Sequence, residues 1–312
     1  MTDYTIGADI SKDHIDLHRW PDGAERRVSN DKAGFAAIVK WLASAPVERV
    51  VFEPTGAYHK AFERFLGQHE LPLCKINPRQ VRRFAEAIGK LAKTDRADAA
   101  LLARFGAMVR PEIRPAPSQI INSLKELYIA RQALVKDRTA GKNRGKTLTI
   151  ALLKQHNSRR LDRIKSEIAD IDRAIQALIG SDCALKHRLE VLISIPGISK
   201  ITAFAMLIEM PELGTLDEKA VASLAGLAPV ARQSGAWTGR AFIRGGRAML
   251  RQALYMPALV ASRFNPDLTR KYQALIAAGK PAKLAITAIM RKLLILANAL
   301  LRDGRKWSQK TA

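Results

Sequence analysis

The sequence predicts an α/β N-terminal domain followed by helical regions that grow more basic, and three observations predict it. Over the first hundred residues, short β-type runs are interleaved with amphipathic stretches of helical period. Pro111, Pro115 and Pro117 then fall within seven residues, which describes a stiff extended linker. Beyond them the pattern is long helices, and the charge balance changes. Residues 1–110 hold 18 basic and 14 acidic side chains, whereas residues 191–312 hold 18 and 6. The boundaries expected are therefore 1–110, 111–190 and 191–312.

The elements follow in order. Asp3–Asp9 reads as a strand, His14–Trp20 alternates apolar and polar positions, and Glu25–Ser29 makes a short third strand. Asp31 is a helix N-cap for an amphipathic stretch running to about Ala45. The apolar run Arg49–Phe52 ends in Glu53-Pro54-Thr55-Gly56. A helix near Tyr58–His69, a strand at Leu73–Ile76 and a helix opening at Pro78 follow. The order β-β-β-α-β-α-β-α describes an antiparallel meander feeding into right-handed parallel crossovers. In the middle region, Leu161, Ile164, Ile168, Ile171, Ile175 and Leu178 recur at alternating spacings of three and four, the a/d seam of a coiled coil. Two helices joined near Lys154–Arg160 make either an antiparallel hairpin or a seam between subunits. From Val191 the chain reads as helix-rich with Gly and Pro punctuation. Ile195-Pro196-Gly197-Ile198-Ser199 matches either a helix-hairpin-helix turn, with Gly197 near a phosphate, or an ordinary helix connection.

A net charge of +23 points to a polyanionic partner. Nucleic acid fits better than a membrane surface, because no strongly amphipathic basic helix with exposed aromatics stands out. No secretory leader and no membrane span are expected, since Arg291 and Lys292 break the apolar stretch Leu284–Leu301. With only Cys74 and Cys183, in unrelated contexts, a disulfide is not expected and a cytoplasmic protein is.

Phosphodiester chemistry with metals needs clustered hard oxygen ligands. Asp9 ends the first strand and Glu53 ends the strand that opens the parallel half. In an RNase H-like order those strands are neighbours, which sets both carboxylates at one sheet edge. Asp95 and Asp98, in Lys93-Thr94-Asp95-Arg96-Ala97-Asp98-Ala99, share one face of a helix start. A dipole-stabilised N-terminal pair is the alternative for those two alone. His14 and His18 lie on a strand without further His or Cys nearby, so zinc is not expected. No Walker-type phosphate loop is present. Gly7-x-Asp9-x-Ser11-Lys12 faintly matches the phosphate loop of actin-like sugar kinases, a reading that leaves the basic C-terminal region unexplained.

Across nearly its whole length the sequence resembles the DEDD transposases of insertion sequences, the RNA-guided "bridge" recombinases typified by insertion sequence 110. The resemblance rests on Gly7-Ala8-Asp9-Ile10-Ser11-Lys12, Phe52-Glu53-Pro54-Thr55-Gly56 and Lys93–Ala99 in the first domain. Leu224-Ala225-Gly226-Leu227-Ala228-Pro229 and Gln233-Ser234-Gly235 carry it in the last. It implies a RuvC-like (RNase H-fold) domain with Asp9, Glu53, Asp95 and Asp98 as ligands for Mg2+, Mn2+ being a substitute. It also implies Ser234 as the nucleophile, donor and target double-stranded DNA as substrates, a structured non-coding guide RNA, and a homo-oligomeric dimer or tetramer. From the residues alone Ser234-Gly235 is an ordinary turn pair. Charge and proximity add Arg232, Arg240, Arg244 and Arg247 as phosphate contacts. The competing expectation is a metal-dependent nuclease of the Holliday-junction resolvase type acting through activated water.

Overall fold

A computed structural model describes residues 3–43, 46–90, 95–235 and 237–308, with the side chains of Asp95, Arg96 and Arg240 outside the description. The chain divides into two compact units at Ser118/Gln119.

The first unit is mixed α/β. Its strands are β1 (Tyr4–Ile10), β2 (His14–Trp20), β3 (Glu25–Ser29), β4 (Val47–Phe52) and β5 (Leu73–Lys75). They form one sheet in the order β3-β2-β1-β4-β5. The first three strands pair antiparallel, while β4 lies parallel to β1 and β5 parallel to β4. The helices are α1 (Lys32–Leu42), α2 (His59–Gln68), α3 (Pro78–Ala87) and α4 (Asp95–Val109). Asp31 caps α1 through its carboxylate, which accepts from the Gly34 N–H at 2.9 Å.

Strand alternation sorts the sheet into two faces. Ile6, Ala8, Ile10, Ile15, Leu17, Val50 and Phe52 point to one side, where they pack with Ile38 of α1 and Phe62 and Leu66 of α2. Val51, Cys74 and Ile76 join Val81 of α3 and Leu102 and Phe105 of α4 in a second cluster on the other side. The prolines of residues 111–117 do not hold this stretch away from the unit. The Arg114 N–H donates to the Leu73 carbonyl at 3.1 Å, and Ala116 packs against Gly67.

In the second unit α5 (Gln119–Gly145) and α6 (Ala151–Gly180) pack along each other, with Arg131 bonded to Asp172 across them. The helix break falls at residues 146–150, earlier than the sequence pattern suggests. Gly145, Thr147 and Thr149 are weak helix formers, and the Thr147 hydroxyl turns back to the Arg144 carbonyl. The seam residues Ile164, Ile168 and Ile175 are buried within the chain.

Further helices are α7 (Cys183–Ile193), α8 (Lys200–Glu209), α9 (Glu218–Leu224), α10 (Ala248–Phe264), α11 (Pro266–Ala277) and α12 (Ala282–Arg302). Leu124 and Tyr128 of α5, Ile175 and Ile179 of α6, and the inner faces of α7, α8, α10 and α12 share one core. Residues assigned by sequence to a middle and a C-terminal region thus meet in a single hydrophobic cluster. Helix α12 is long and apolar enough to cross a membrane, yet Ile289, Leu293, Leu294 and Ala297 are buried against that core. Between α9 and α10 stands an element that the helix-rich reading of residues 191–312 did not include. It is a two-stranded hairpin of β6 (Pro229–Ser234) and β7 (Trp237–Ile243).

Candidate active site

The acidic corner of the first unit is built by register and by two glycines. Ala8 pairs with Phe52 in the parallel β1–β4 ladder, so Asp9 and Glu53 follow side by side where the two strands end. Both lie on the face opposite Ala8 and Phe52. Helix α4 covers that face. A Cβ on Gly7 would sit 2.0 Å from the Ala99 carbonyl oxygen and 2.4 Å from the Ala103 nitrogen, so the helix backbone rests directly on β1 there. A Cβ on Gly106 would meet Val51 at 2.5 Å and Thr5 at 2.6 Å. Helix α4 therefore runs antiparallel to β1. Its C-terminal half lies over Thr5, its middle over Gly7, and its first turn over the end that carries Asp9.

Asp9, Glu53 and Asp98 are half-buried and each is engaged with neighbouring groups. Among the described residues no three His, Cys, Asp or Glu side chains close into a metal-holding group. The fourth residue, Asp95, opens α4 on the same turn as Asp98, and its side chain lies outside the description. The donor set is chemically suited to a hard divalent cation, consisting of carboxylates brought to one sheet edge by rigid elements.

Asp16, which the sequence reading passed over, stands beside this set. It pairs directly with Asp9 across the antiparallel β1–β2 ladder, so both carboxylates share the α4 face. Asp16 is only 4% exposed. Arg27, its partner on β3, clamps it with Nε–Oδ1 at 2.7 Å and Nη2–Oδ2 at 2.8 Å, and His14 Nε2 lies 3.5 Å away. One row thus crosses β3, β2 and β1 in the order Arg27, Asp16, Asp9, with Glu53 next in line just past the end of β4. The signal was available: Ile15 and Leu17 are apolar, so Asp16 between them had to face the other side.

On the opposite face His59, Glu63 and Lys75 form a separate cluster. Lys75 Nζ is 2.6 Å from Glu63 Oε1, and His59 Nε2 is 3.8 Å from Glu63 Oε2. Burial, then the Lys75 charge, hold the His59 pKa below its ordinary value. Burial pushes the Cys74 thiol up to about 11, which makes it inert as a nucleophile at neutral pH.

In the second unit Ser234 ends β6 at the tip of the hairpin, opposite Trp237 and next to Gly235. It is exposed, and its hydroxyl has no hydrogen-bond partner among the described residues. The hairpin is anchored at its base. A Cβ on Gly226 would lie 2.1 Å from the Gly245 oxygen, and one on Gly246 would lie 2.1 Å from the Gly226 nitrogen. Two loops with positive φ at both glycines dock there backbone on backbone. Of the neighbouring serines in this unit, Ser262 is buried in α10 and donates to the Leu259 carbonyl, while Ser223 is exposed on α9.

The arginines divide by environment. Arg232 and Arg244 are exposed, and the side chain of Arg240 lies outside the description. Arg247 is committed inside the fold, with Nη1 2.7 Å and Nη2 2.6 Å from the two Glu212 oxygens and Nη1 bonded to the Glu209 carbonyl. Gly197 has φ +99°, and a Cβ there would lie 2.8 Å from the Pro257 carbonyl oxygen. Close approach to α10 accounts for that glycine, while Ser199 caps α8 through the Thr202 N–H.

A family model described as "Transposase" matches residues 6–157, and one described as "Transposase IS116/IS110/IS902 family" matches residues 189–273. The "Pilin gene-inverting protein" of Moraxella bovis is 30% identical over 99% of both chains, and its namesake from Moraxella lacunata matches equally. An "Insertion element IS110 uncharacterized 43.6 kDa protein" of Streptomyces coelicolor is 31% identical over 42% of this chain. The chain belongs to the IS116/IS110/IS902 family of transposases. It is a DNA-processing recombinase by that membership.

Proposed function

We propose that this transposase cleaves and rejoins DNA strands, using carboxylates of the first unit and a serine nucleophile of the second. The observation that carries the first half is the parallel register setting Asp9 beside Glu53 on the face covered by the first turn of α4. The sheet order and the helix across its acidic end support an RNase H-like, RuvC-like reading of this unit. Asp9, Glu53, Asp95 and Asp98 would hold Mg2+, or Mn2+ in its place. A cation bound there supplies charge neutralisation at the attacking and leaving oxygens of the scissile phosphate.

The remaining chemistry belongs to the chain itself. Ser234 Oγ attacks phosphorus, and the phosphorus–oxygen bond to the departing strand breaks. That strand leaves as a hydroxyl end carrying the proton, while the other is held as a phosphoserine ester. A hydroxyl end from a second DNA site then attacks the ester, restoring a phosphodiester and returning the serine hydroxyl. One ester replaces another, so no ATP is needed. Arg232, Arg240 and Arg244 neutralise phosphates around the serine; the charge of Arg247 is taken up by Glu212. A structured guide RNA pairing with donor and target DNA selects the sites, and an assembly of two or four chains brings them together. The excess of basic residues supports polyanionic partners larger than one short duplex.

Trapping tests both halves. Protein, guide RNA and both DNA sites are incubated with Mg2+, denatured and digested. A covalent protein–DNA adduct is expected, lost in Ser234→Ala and kept in Ser223→Ala. Asp9→Asn, or Asp95→Asn with Asp98→Asn, should slow its formation about a thousandfold, as expected when several kcal/mol of charge stabilisation disappear. Cleavage that persists in Ser234→Ala without an adduct would assign water as the nucleophile, as in a Holliday-junction resolvase.

A further inference from the structure

Among the described residues, the hairpin that carries Ser234 is exposed. All six residues of β6 are exposed, and the described side chains of β7 are exposed apart from the half-buried position Gly239. The two strands form a sheet of their own. Yet the exposed groups are not those of a solvated edge: Trp237 is 58% exposed, with Val230, Phe242 and Ile243 also open. A surface of this kind marks a binding site.

Register sorts its groups. Ser234 pairs with Trp237 and Arg232 with Gly239, so these four positions share one face. The indole lies flat along β7: a Cβ on Gly239 would come within 2.4 Å of its ring carbons, so only glycine leaves room for that seat. Beyond it the Arg232 guanidinium stacks over the Phe242 ring, 5.8 Å from the centroid. The face therefore runs from hydroxyl to flat indole to an aromatic-backed cation. No acidic residue lies between Glu218 and Asp267, a span that includes Arg232, Arg240 and Arg244.

Planar aromatic surface beside unopposed positive charge matches an unpaired nucleotide, whose base offers a π-face and whose phosphate offers an anion. We propose that this face is a stacking platform for single-stranded DNA, on which Trp237 receives one unstacked base and Arg232 its phosphate. Resting on the assignment of Ser234 as nucleophile, the platform holds the nucleotide flanking the scissile bond. A base held by stacking is read by shape and not by sequence, so the platform tolerates any base. A melted flank also lets the phosphate reach the serine without the second strand in the way.

The test measures binding without cutting, using the full chain with Ser234→Ala and a labelled oligothymidine strand. Trp237→Ala should weaken binding about tenfold, the contribution of one stacked base. Trp237→Phe should restore most of it, and Trp237→Leu, equally apolar but without a π-face, should not. Quenching of tryptophan emission by the strand should disappear in Trp237→Phe although Trp20, Trp41 and Trp307 remain. Equal affinity for Trp237→Leu and Trp237→Phe, or unchanged quenching in Trp237→Phe, would overturn the proposal. Unchanged DNA binding in Trp237→Ala, with a loss of self-association in sedimentation, would reassign the face to contact with a second copy. Because no adduct is measured, the result stands apart from the trapping experiment. Base stacking can hold with water as the nucleophile, and Ser234 can attack without Trp237.

Discussion

The acidic corner of the first unit and the hairpin of the second, the two parts of the chemistry proposed above, are built in opposite ways. Asp9, Glu53 and Asp98 sit where strand register and a helix laid backbone-to-backbone on β1 leave almost no freedom. Ser234 sits on two exposed strands, docked at the base through Gly226 and Gly246. Carboxylates that repel one another need a rigid scaffold to stay together. A serine acting as the proposed nucleophile on a large substrate needs reach and an open face. Packing is dense where like charges gather and sparse where the proposed function brings DNA in.

The comparison breaks most readily at Gly7. Gly7→Val would drive a side chain into the Ala99 carbonyl, and we expect a loss of about 3 kcal/mol or more, the upper range for overpacking. Hydrogen exchange should show β1 and α4 losing protection while α8 and α12 keep theirs. Equal loss in both units would mean that their stabilities are not separate. A smaller effect sharpens the hairpin side. Arg247→Ala removes a part-buried bidentate pair and should cost about 2 kcal/mol while leaving the salt dependence of DNA binding unchanged. Arg232→Ala should do the reverse, lowering the salt slope by about one with no change in melting temperature. If Arg247→Ala lowers the slope instead, its pairing with Glu212 does not withhold it from phosphate.

The smallest effect concerns His59, behind the acidic corner. Its folded pKa lies below that of the unfolded chain, so acidification through about 6.5, the ordinary histidine value, protonates the unfolded state first and costs stability. Thermal melts at pH 7.5 and 5.5 should show a drop for the first unit that shrinks in His59→Asn. A drop of the same size in the variant would assign the acid sensitivity to other groups.

Much of the first unit was legible because its signals are local. Alternation in His14–Trp20, the Asp31 cap and the run ending at Glu53 each mark an element within a few residues, and the observed strands follow them. The hairpin at residues 229–243 was not legible as strands, since an element with no buried face has no apolar alternation to display. The break between α5 and α6 was misplaced because the seam that marks α6 begins only at Leu161, ten residues after the helix itself starts at Ala151.

By itself the sequence determined the element order of the first unit, the basic bias of the last 120 residues and the family motifs around Asp9, Glu53 and Asp98. Tertiary structure alone decided which residues of different elements stand next to one another. It set Asp16 and Arg27 in line with Asp9, committed Arg247 to Glu212, and laid Trp237 beside Ser234. The physical reason is that strand pairing and helix seating join residues distant in the chain. Their register is settled by backbone hydrogen bonds and close approaches that no local pattern encodes.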